Sequence, residues 1–252
     1  MSGHSKWKTI QHKKAAEDAK KGKAFSKISK ELMVEAKRGG SDPNTNAALR
    51  ALIQKAKGVN MPADNVMRAI KKGAGELEGA SYEETMYEGY AAGGVGLVVA
   101  CLTDNRNRTA AEIRHMFSRH GSSLAGVGAV SRGFERKGQI FVDASAVDED
   151  KLMTVVLDAG ADDMSKQGDQ FQILTSPSTF VTVCEAMEKA GIPKVSAELG
   201  LVPGTLVPVT DKAVANSVMK FVSDLEDHDD VQNVYTNMDV SDELAKELDE
   251  AS

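Results

Sequence analysis

The chain has 252 residues, of which 41% are hydrophobic and 27% charged, a composition that excludes a fibrous or intrinsically disordered protein. Its formal net charge of -6 conceals a division between two parts. Residues 1–72 carry 17 Lys and Arg against 6 Asp and Glu, a balance of +11, whereas the remainder carries 14 against 31, a balance of -17. A basic segment of this kind attracts polyanions at long range, while the acidic remainder limits indiscriminate binding.

Cysteine usage and hydropathy indicate a cytoplasmic protein. Cys101 and Cys184 lie far apart and have no neighbouring Cys or His at metal-ligand spacing, which fits a reducing compartment. The longest apolar run, Val95–Leu102, is far too short to span a bilayer, and no secretory signal is recognisable. We therefore expect no membrane partner.

Repeated 3.6-residue periodicity over residues 1–72 predicts a basic, all-α N-terminal domain of four helices. The first is expected over Thr9–Lys21 and the second over Ala24–Arg38, which two glycines follow. Asp42-Pro43, a capping residue before a proline, predicts the start of the third helix. The fourth is expected over Pro62–Gly73.

Strands follow a predicted linker at residues 73–79. Tyr82–Tyr90 and Val95–Thr103 flank a glycine-containing turn at residues 92–94 and predict a β-hairpin. Thr109–Glu112 matches a capping box, so a helix is expected to begin there and to continue to the glycine at position 121.

The next segment predicts a second α+β unit. Val130–Phe134 and Gln139–Val142 are expected to form a hairpin that turns at Lys137-Gly138. A helix, two strands joined at Gly168-Asp169, a second helix and a last strand follow. The two helices are expected at about 147–159 and 176–190. The second strand of the pair is expected at 170–175, and the last strand at 192–199.

The last elements are expected to return to the first hairpin. A helix over Asp211–Glu226 and a strand over Val231–Thr236 cannot bury their apolar faces alone, so they need another unit as a packing partner. The acidic residues after Val240 are expected to fray. The predicted fold class is α+β multidomain, with an all-α helical domain followed by two α+β domains, one inserted into the other. The expected domains are 1–78, 79–128 with 205–240, and 129–204.

The basic helical domain predicts contacts with nucleic acid. Trp7 lies between Lys6 and Lys8, where its ring would stack on a base while the lysines neutralise phosphates. Packing of Trp7 in the helical core is an equally supported and compatible interpretation.

The first predicted helix carries a stripe of four lysines that would follow a phosphate backbone. Lys13 and Lys20 are two full turns apart, and so are Lys14 and Lys21. Further cations, among them Lys57, Arg68 and Lys71, extend the basic field. For any single lysine a solvated helix surface is the simpler interpretation, and the whole field could instead dock on the acidic part of this chain. The predicted nucleic-acid contacts are Lys6, Trp7, Lys8, His12, Lys13, Lys14, Lys20, Lys21, Lys23, Lys27, Lys30, Arg106 and Arg108.

A polar loop at residues 102–109 lies between a strand and a helix. Arg106 and Arg108 beside a helix N-terminus would suit a phosphate. The alternative, which we favour slightly, is local structure, in which Asp104 and the two asparagines cap the helix and an arginine pairs with Glu88 or Glu112.

Motifs for catalysis are scarce. The five histidines lack zinc-binding spacing, and no nucleophile elbow or phosphate-binding loop occurs. Paired carboxylates such as Asp162-Asp163 and Asp229-Asp230 are interpreted as solvated turns. We therefore expect no enzyme activity, no cofactor and no metal.

Several short motifs resemble one family. They are Gly3-His4-Ser5-Lys6-Trp7, Lys13-Lys14-Ala15, Asp18-Ala19-Lys20, Gly39-Gly40, Asp42-Pro43-Asn44, Asn60-Met61-Pro62, Arg68-Ala69-Ile70, Tyr87-Glu88-Gly89-Tyr90 and Thr103 to Thr109. With these motifs the chain resembles the YebC/PmpR family, bacterial relatives of a mitochondrial translational activator, over nearly its whole length. It departs at Gly121-Ser122-Ser123, where the family usually has Gly-Gly-Asn, and at 125–129, usually a glycine-rich loop ending Gly-Ser-Val.

The resemblance implies a three-domain regulator of gene expression, described in two ways. Bacterial members are described as transcriptional regulators that bind promoter DNA, whereas mitochondrial and some bacterial members are regarded as translation factors that act at the ribosome on proline-rich nascent chains. The expected partner is therefore promoter DNA or ribosomal RNA, with the ribosome as the site of action in the second case. No helix stands out as a reader of base edges, and the lysine-rich field suits nucleic-acid backbones. The oligomeric state is left open.

Overall fold

A computed structural model describes residues 17–250, without the side chains of residues 17–21, 242, 246, 249 and 250. Most of the first predicted helix, Thr9–Lys21, therefore lies outside the described residues. So do Lys6, Trp7, Lys8, His12, Lys13 and Lys14, together with the side chains of Lys20 and Lys21.

Three helices form the N-terminal part: α1 (Glu17–Gly39), α2 (Ala47–Gly58) and α3 (Ala63–Gly73). They pack around a small core that includes Leu32 and Leu49. The predicted break between Lys21 and Ala24 is wrong, because α1 continues through Gly22. A single glycine inside a helix costs only about 1 kcal/mol relative to alanine. The side chains of α1 that pack against α2 and α3, such as Phe25 and Ile28, follow this glycine.

The start of α2 also differs from the prediction. Asp42 and Pro43 lie in a turn, and the helix begins five residues after Asp42 with Asn46 as its cap. The Asn46 side chain accepts a hydrogen bond from the Leu49 amide at 3.0 Å and donates to the Gly40 carbonyl at 3.0 Å. One asparagine therefore ends the loop and begins the helix. The prediction for the next helix is confirmed, since α3 follows Pro62 directly and ends at Gly73.

The first sheet has the antiparallel order β1–β2–β8. Its hairpin, β1 (Glu83–Tyr90) and β2 (Gly96–Thr103), is confirmed, and β8 (Val231–Thr236) pairs with β2. Helices α4 (Arg106–Arg119) and α7 (Lys212–Glu226) cover it, with a core of large buried side chains such as Phe117 and Phe221. The capping box at Thr109 is wrong, because α4 begins three residues earlier at Arg106.

The second sheet contains β3 (Phe134–Asp143), β4 (Ala161–Gln167), β5 (Gln170–Thr175) and β6 (Ser196–Pro203) in the antiparallel order β4–β5–β3–β6. It carries the helices α5 (Glu149–Asp158) and α6 (Phe180–Lys189). The predicted hairpin at residues 130–142 is wrong, since β3 is one continuous strand that pairs on both sides. Gly138 serves close packing there, because a Cβ atom would collide with Thr175 and Phe180.

The chain then returns to the first sheet. A short parallel pair, β7 (Val207–Val209) with β9 (Met238–Val240), flanks α7 and β8. The predicted fraying after Val240 is wrong, because α8 (Asp242–Glu250) follows and buries Leu244 and Leu248 in the core of the first sheet. Two leucines one turn apart give this acidic helix an apolar face.

A helical part followed by α+β units confirms the predicted fold class. The exact domain boundaries stay a prediction. Among the described helices, none is long and apolar enough to cross a membrane.

Candidate nucleic-acid interface

Asp230 is the centre of a buried hydrogen-bond network between the helical part and the first sheet. Its carboxylate accepts a bond from Lys30 Nζ at 2.8 Å on one oxygen. The other oxygen accepts from Arg108 Nη2 at 2.8 Å and from Thr109 Oγ1 at 2.7 Å. These donors come from α1 and α4, and Asp230 itself precedes β8. Three segments distant in sequence therefore meet at one carboxylate.

Burial alone would raise the pKa of the Asp230 carboxyl. The hydrogen bonds from Lys30, Arg108 and Thr109 outweigh burial and hold this pKa well below its usual range. The Lys30 ammonium also lies 5.3 Å from the centre of the Tyr82 ring, a cation–π contact. Asp230 is thus ionised near neutral pH, and the interpretation of Asp229-Asp230 as a solvated turn is wrong for Asp230, which is buried.

The loop from Thr103 to Thr109 positions two of the donors to Asp230. Asn105 adopts an extended conformation and caps α4, accepting a hydrogen bond from the Arg108 amide at 3.1 Å. Thr103 Oγ1 accepts from the Asn105 amide at 2.9 Å and lies 2.8 Å from Thr109 Oγ1. The turn thereby directs Arg108 and Thr109 toward Asp230. This supports the local-structure interpretation of the loop over a phosphate site.

The two arginines of the loop have carboxylate partners. Arg108 Nη2 donates to Asp104 at 2.9 Å, and its Nε lies 4.0 Å from Glu112, one of the predicted partners. Arg106 lies 3.7 Å from Glu83 rather than from either predicted residue. The hydrogen bonds to Asp230 and Asp104 raise the pKa of the Arg108 guanidinium.

Three lysines on one face of α1 contact the end of α7. Lys23 Nζ donates to the Asp227 carboxylate at 3.1 Å and to the Asp227 carbonyl at 3.2 Å. Lys27 Nζ donates to the Glu226 carbonyl at 2.7 Å, and Lys30 Nζ donates to the carbonyl of Asp229, three residues after the helix, at 2.9 Å. The last carbonyls of a helix lack partners within the helix and carry its negative dipole end, so lysines stabilise them.

A cleft of about 730 Å³ lies between α1 and residues 227–230, which we call the acidic segment. Its lining includes three cations, Lys23, Lys30 and Arg108, but five carboxylates, so it is acidic in balance. Such a cleft repels a polyanion. The structure therefore favours the alternative that part of the basic field docks on this chain's own acidic surface, and it leaves nucleic-acid binding by these residues a prediction.

Ligand atoms of Glu112, His228 and Asp230 lie within 4.8 Å of one another. All three take part in the network instead. His228 Nδ1 accepts from the Asp230 amide at 3.1 Å and Nε2 lies 2.9 Å from Glu112 Oε2, while Asp230 already faces Lys30 and Arg108. Two cationic side chains on the only buried carboxylate of this trio disfavour a metal ion, and we assign none.

Three further cations of α2 and α3 are exposed. Lys57, Arg68 and Lys71 are exposed, and no carboxylate of the described chain lies within salt-bridge distance of them. By contrast, Lys55 pairs with Glu31 at 2.8 Å and Arg38 with Glu84 at 2.7 Å. Lys57, Arg68 and Lys71 are also not part of the lining of the acidic cleft.

Glu88 organises the loop at residues 121–131. Its buried carboxylate accepts bonds from the amides of Gly128, Val130 and Ser131, each at 2.8 Å, and from the Ser131 hydroxyl at 2.9 Å. Burial alone would raise the pKa of Glu88, but these bonds together lower it. Gly89 permits the close approach, since a Cβ atom there would collide with Phe117.

Comparisons with known sequences and structures identify the family of this chain. A family model described as "TACO1/YebC second and third domain" matches residues 82–238, and one described as the TACO1/YebC N-terminal domain matches residues 5–76. The chain belongs to the TACO1/YebC family. The resemblance predicted from the short motifs is therefore confirmed.

Relatives of this TACO1/YebC chain cover it almost completely. A protein of Geobacter sulfurreducens is 52% identical over 248 residues, covering 98% of this chain and 100% of the relative, and one of Desulfotalea psychrophila is 50% identical over 250 residues, covering 99% and 100%. Both are named "probable transcriptional regulatory protein". The crystal structure of a conserved hypothetical protein from Aquifex aeolicus matches with a TM-score of 0.83 and 44% identity over 91% of this chain and 94% of that one. At the level of the family these relatives support a regulatory protein.

Sequence reasoning missed the two organising carboxylates. Asp230 reaches Lys30, 200 residues away, and Glu88 reaches backbone amides 40 to 43 residues away. No local pattern reveals such partners. The signal that was available is the occurrence of Glu88 and Arg108 in the family-like motifs Tyr87–Tyr90 and Thr103–Thr109.

Proposed function

We propose that this protein is a non-enzymatic, nucleic-acid-binding regulator of gene expression, and that it acts as a transcriptional regulator on DNA. The observation that carries the proposal is the charge division, +11 over residues 1–72 against -17 over the rest. A polyanion is the partner that such a segment attracts. The names of the relatives support the transcriptional role.

The proposed contacts are mainly with phosphates. Of the 17 basic residues in the first 72, 14 are lysines, which bind phosphates as point charges and read bases poorly. We assign the main contacts to Lys6, Lys8 and the stripe Lys13, Lys14, Lys20 and Lys21, with Trp7 and His12 beside them. The exposed cations Lys57, Arg68 and Lys71 are proposed as further phosphate contacts.

The lysine content also favours a second candidate, a ribosome-associated translation factor that contacts RNA and relieves stalling on proline-rich nascent chains. Backbone contact without base reading suits ribosomal RNA as well as it suits DNA. A specific transcription factor must bind a promoter duplex more tightly than a scrambled duplex at physiological salt. Equal affinity for both, together with co-sedimentation with ribosomes that survives moderate salt, would favour the second candidate.

Charge reversal tests the proposal that both candidates share. Changing Lys13, Lys14, Lys20 and Lys21 to Glu should strongly weaken binding to short RNA and duplex DNA, and the slope of the logarithm of affinity against the logarithm of salt concentration should become shallower by about 3 for single-stranded RNA. The matched control changes four exposed cations of the acidic part to Glu: Arg119, Lys151, Lys189 and Lys220. Equal affinities of the two variants would contradict the proposed surface.

A further inference from the structure

The side chains that join α1 to the acidic segment become more exposed from Lys30 toward Lys23. At its inner end Lys30 and Asp230 expose only 9% and 5% of their side chains. At its outer end Lys23 and Asp227 expose 44% and 64%. Lys27, one turn after Lys23, is half-buried between them. The inner pair is therefore shielded from solvent, whereas the outer pair is open to competing ions.

The two ends differ in how easily they separate. Breaking a buried ion pair leaves a charge without water or a partner, which is strongly unfavourable. An exposed pair contributes little and is screened by salt. Lys27 belongs with the outer group, because its ammonium donates to a helix-terminal carbonyl and, among the described residues, to no carboxylate. Its burial lowers its pKa, while the neighbouring Glu226 and Asp227 oppose that shift.

We propose that the acidic end of α7 is an intramolecular competitor of nucleic acid: Lys23 and Lys27 exchange between Asp227 with the α7 carbonyls and the phosphates of a bound strand, while Lys30 remains fixed on Asp230. This inference rests on the proposed function. Phosphate oxygens offer the same acceptor chemistry as the carboxylate and carbonyl oxygens that these two lysines now contact. A strand supplies many phosphates and releases counterions, so it displaces an exposed pair that a single anion would not.

The competitor can be removed without disturbing the inner pair. Asp227 is the exposed residue that follows α7, where a cationic side chain is favourable to the helix dipole. Asp227→Lys repels Lys23 and Lys27 and should tighten binding of short mixed-sequence RNA by about threefold or more at low salt. The matched control is Asp158→Lys, because Asp158 is the exposed last residue of α5 and the substitution changes the net charge equally.

Three outcomes of these affinity measurements are distinct. Tighter binding by Asp227→Lys than by Asp158→Lys supports the competition. Equal affinities of both variants, with measurable binding by the unmodified protein, overturn the competition and leave the proposed function standing. Absence of binding by all three proteins overturns the proposed function and the inference with it.

A second measurement follows the contact itself. Lys23 Nζ and the Asp227 carboxylate, 3.1 Å apart, are within reach of a zero-length carbodiimide cross-link, which mass spectrometry of the digested protein locates. Saturating RNA should lower the yield of this cross-link, whereas the Lys194–Glu188 pair, 2.7 Å apart in the second sheet unit, should cross-link equally with and without RNA. An unchanged Lys23–Asp227 yield at saturation would overturn the proposal.

Discussion

Asp230 and Glu88 are both buried carboxylates, with 3% and 4% of the residue exposed, but their partners differ in kind. Asp230 is held by side chains from α1 and α4, two of them cationic. Glu88 is held by three backbone amides and one hydroxyl of a single loop. The first carboxylate joins separate segments of the chain, and the second shapes one segment.

The difference implies unequal costs of removal. At Asp230 a substitution leaves the Lys30 ammonium buried without its counter-charge, and the contact between α1 and the first sheet loses its centre. At Glu88 the donors left behind are neutral amides near the surface of a loop, some of which water can reach. The two sites therefore separate a global contribution to stability from a local one.

The largest effect is expected for Asp230→Asn. An asparagine would present an amide nitrogen to donors on Arg108 or Thr109, and removing one partner of a buried ion pair costs about 3–5 kcal/mol. We expect the free energy of unfolding in urea to fall by that amount. Asp229→Asn is the control, since exposed Asp229 offers Lys30 only its backbone carbonyl. Equal stabilities of the two variants would contradict the central role of Asp230.

The next effect is expected for Glu88→Gln. The amide of glutamine replaces an acceptor by a donor among several donors, which costs about 1–3 kcal/mol. Amide hydrogen exchange at Gly128, Val130 and Ser131 should accelerate more than exchange in β2. Glu83→Gln, on the same strand but exposed, is the control. Acceleration spread evenly over both sheets would argue against a local role.

The sequence supports prediction of elements whose signals are local. The hairpin β1–β2, the helix α3 after Pro62 and the strand β8 follow from periodicity and turn residues, and the structure confirms them. The errors occur where tertiary contacts decide. Gly138 resembles a turn glycine, but it permits close packing against Phe180. The sequence of α8 resembles an acidic tail, but Leu244 packs in the core of the first sheet.

The candidate site was predictable in part. The charge division follows from the sequence, and so does the alternative that the basic field docks on the acidic part. The predicted lysine stripe lies outside the described side chains and stays a prediction. Which lysines dock did not follow, because Lys23, Lys27 and Lys30 contact residues 226–230, about 200 positions away in the sequence. Pairings across 200 residues depend on topology, and no local pattern encodes them.

A smaller effect concerns acid. The folded pKa of Glu88 is lowered, so its contribution to stability is fully present above its unfolded pKa of about 4.3 and is lost as pH falls through the folded value. The difference in unfolding free energy between the unmodified protein and Glu88→Gln should therefore be constant near neutral pH and shrink below about pH 4. Urea unfolding across this range measures it. A difference that grows in acid would contradict the lowered pKa.

The smallest effect is expected for Asp104→Asn, which removes the exposed partner of the same guanidinium that Asp230 binds. Asp104 Oδ1 accepts from Arg108 Nη2 at 2.9 Å, nearly the distance to Asp230, but the Asp104 side chain is 41% exposed against 5% for Asp230. Water replaces the lost carboxylate at an exposed site, so the cost should be about 0.2–1 kcal/mol. Urea unfolding of both single variants and the double variant separates the contributions. A loss at Asp104 as large as that at Asp230 would mean that the two carboxylates hold Arg108 as one unit, and that burial is not what distinguishes the inner network from its rim.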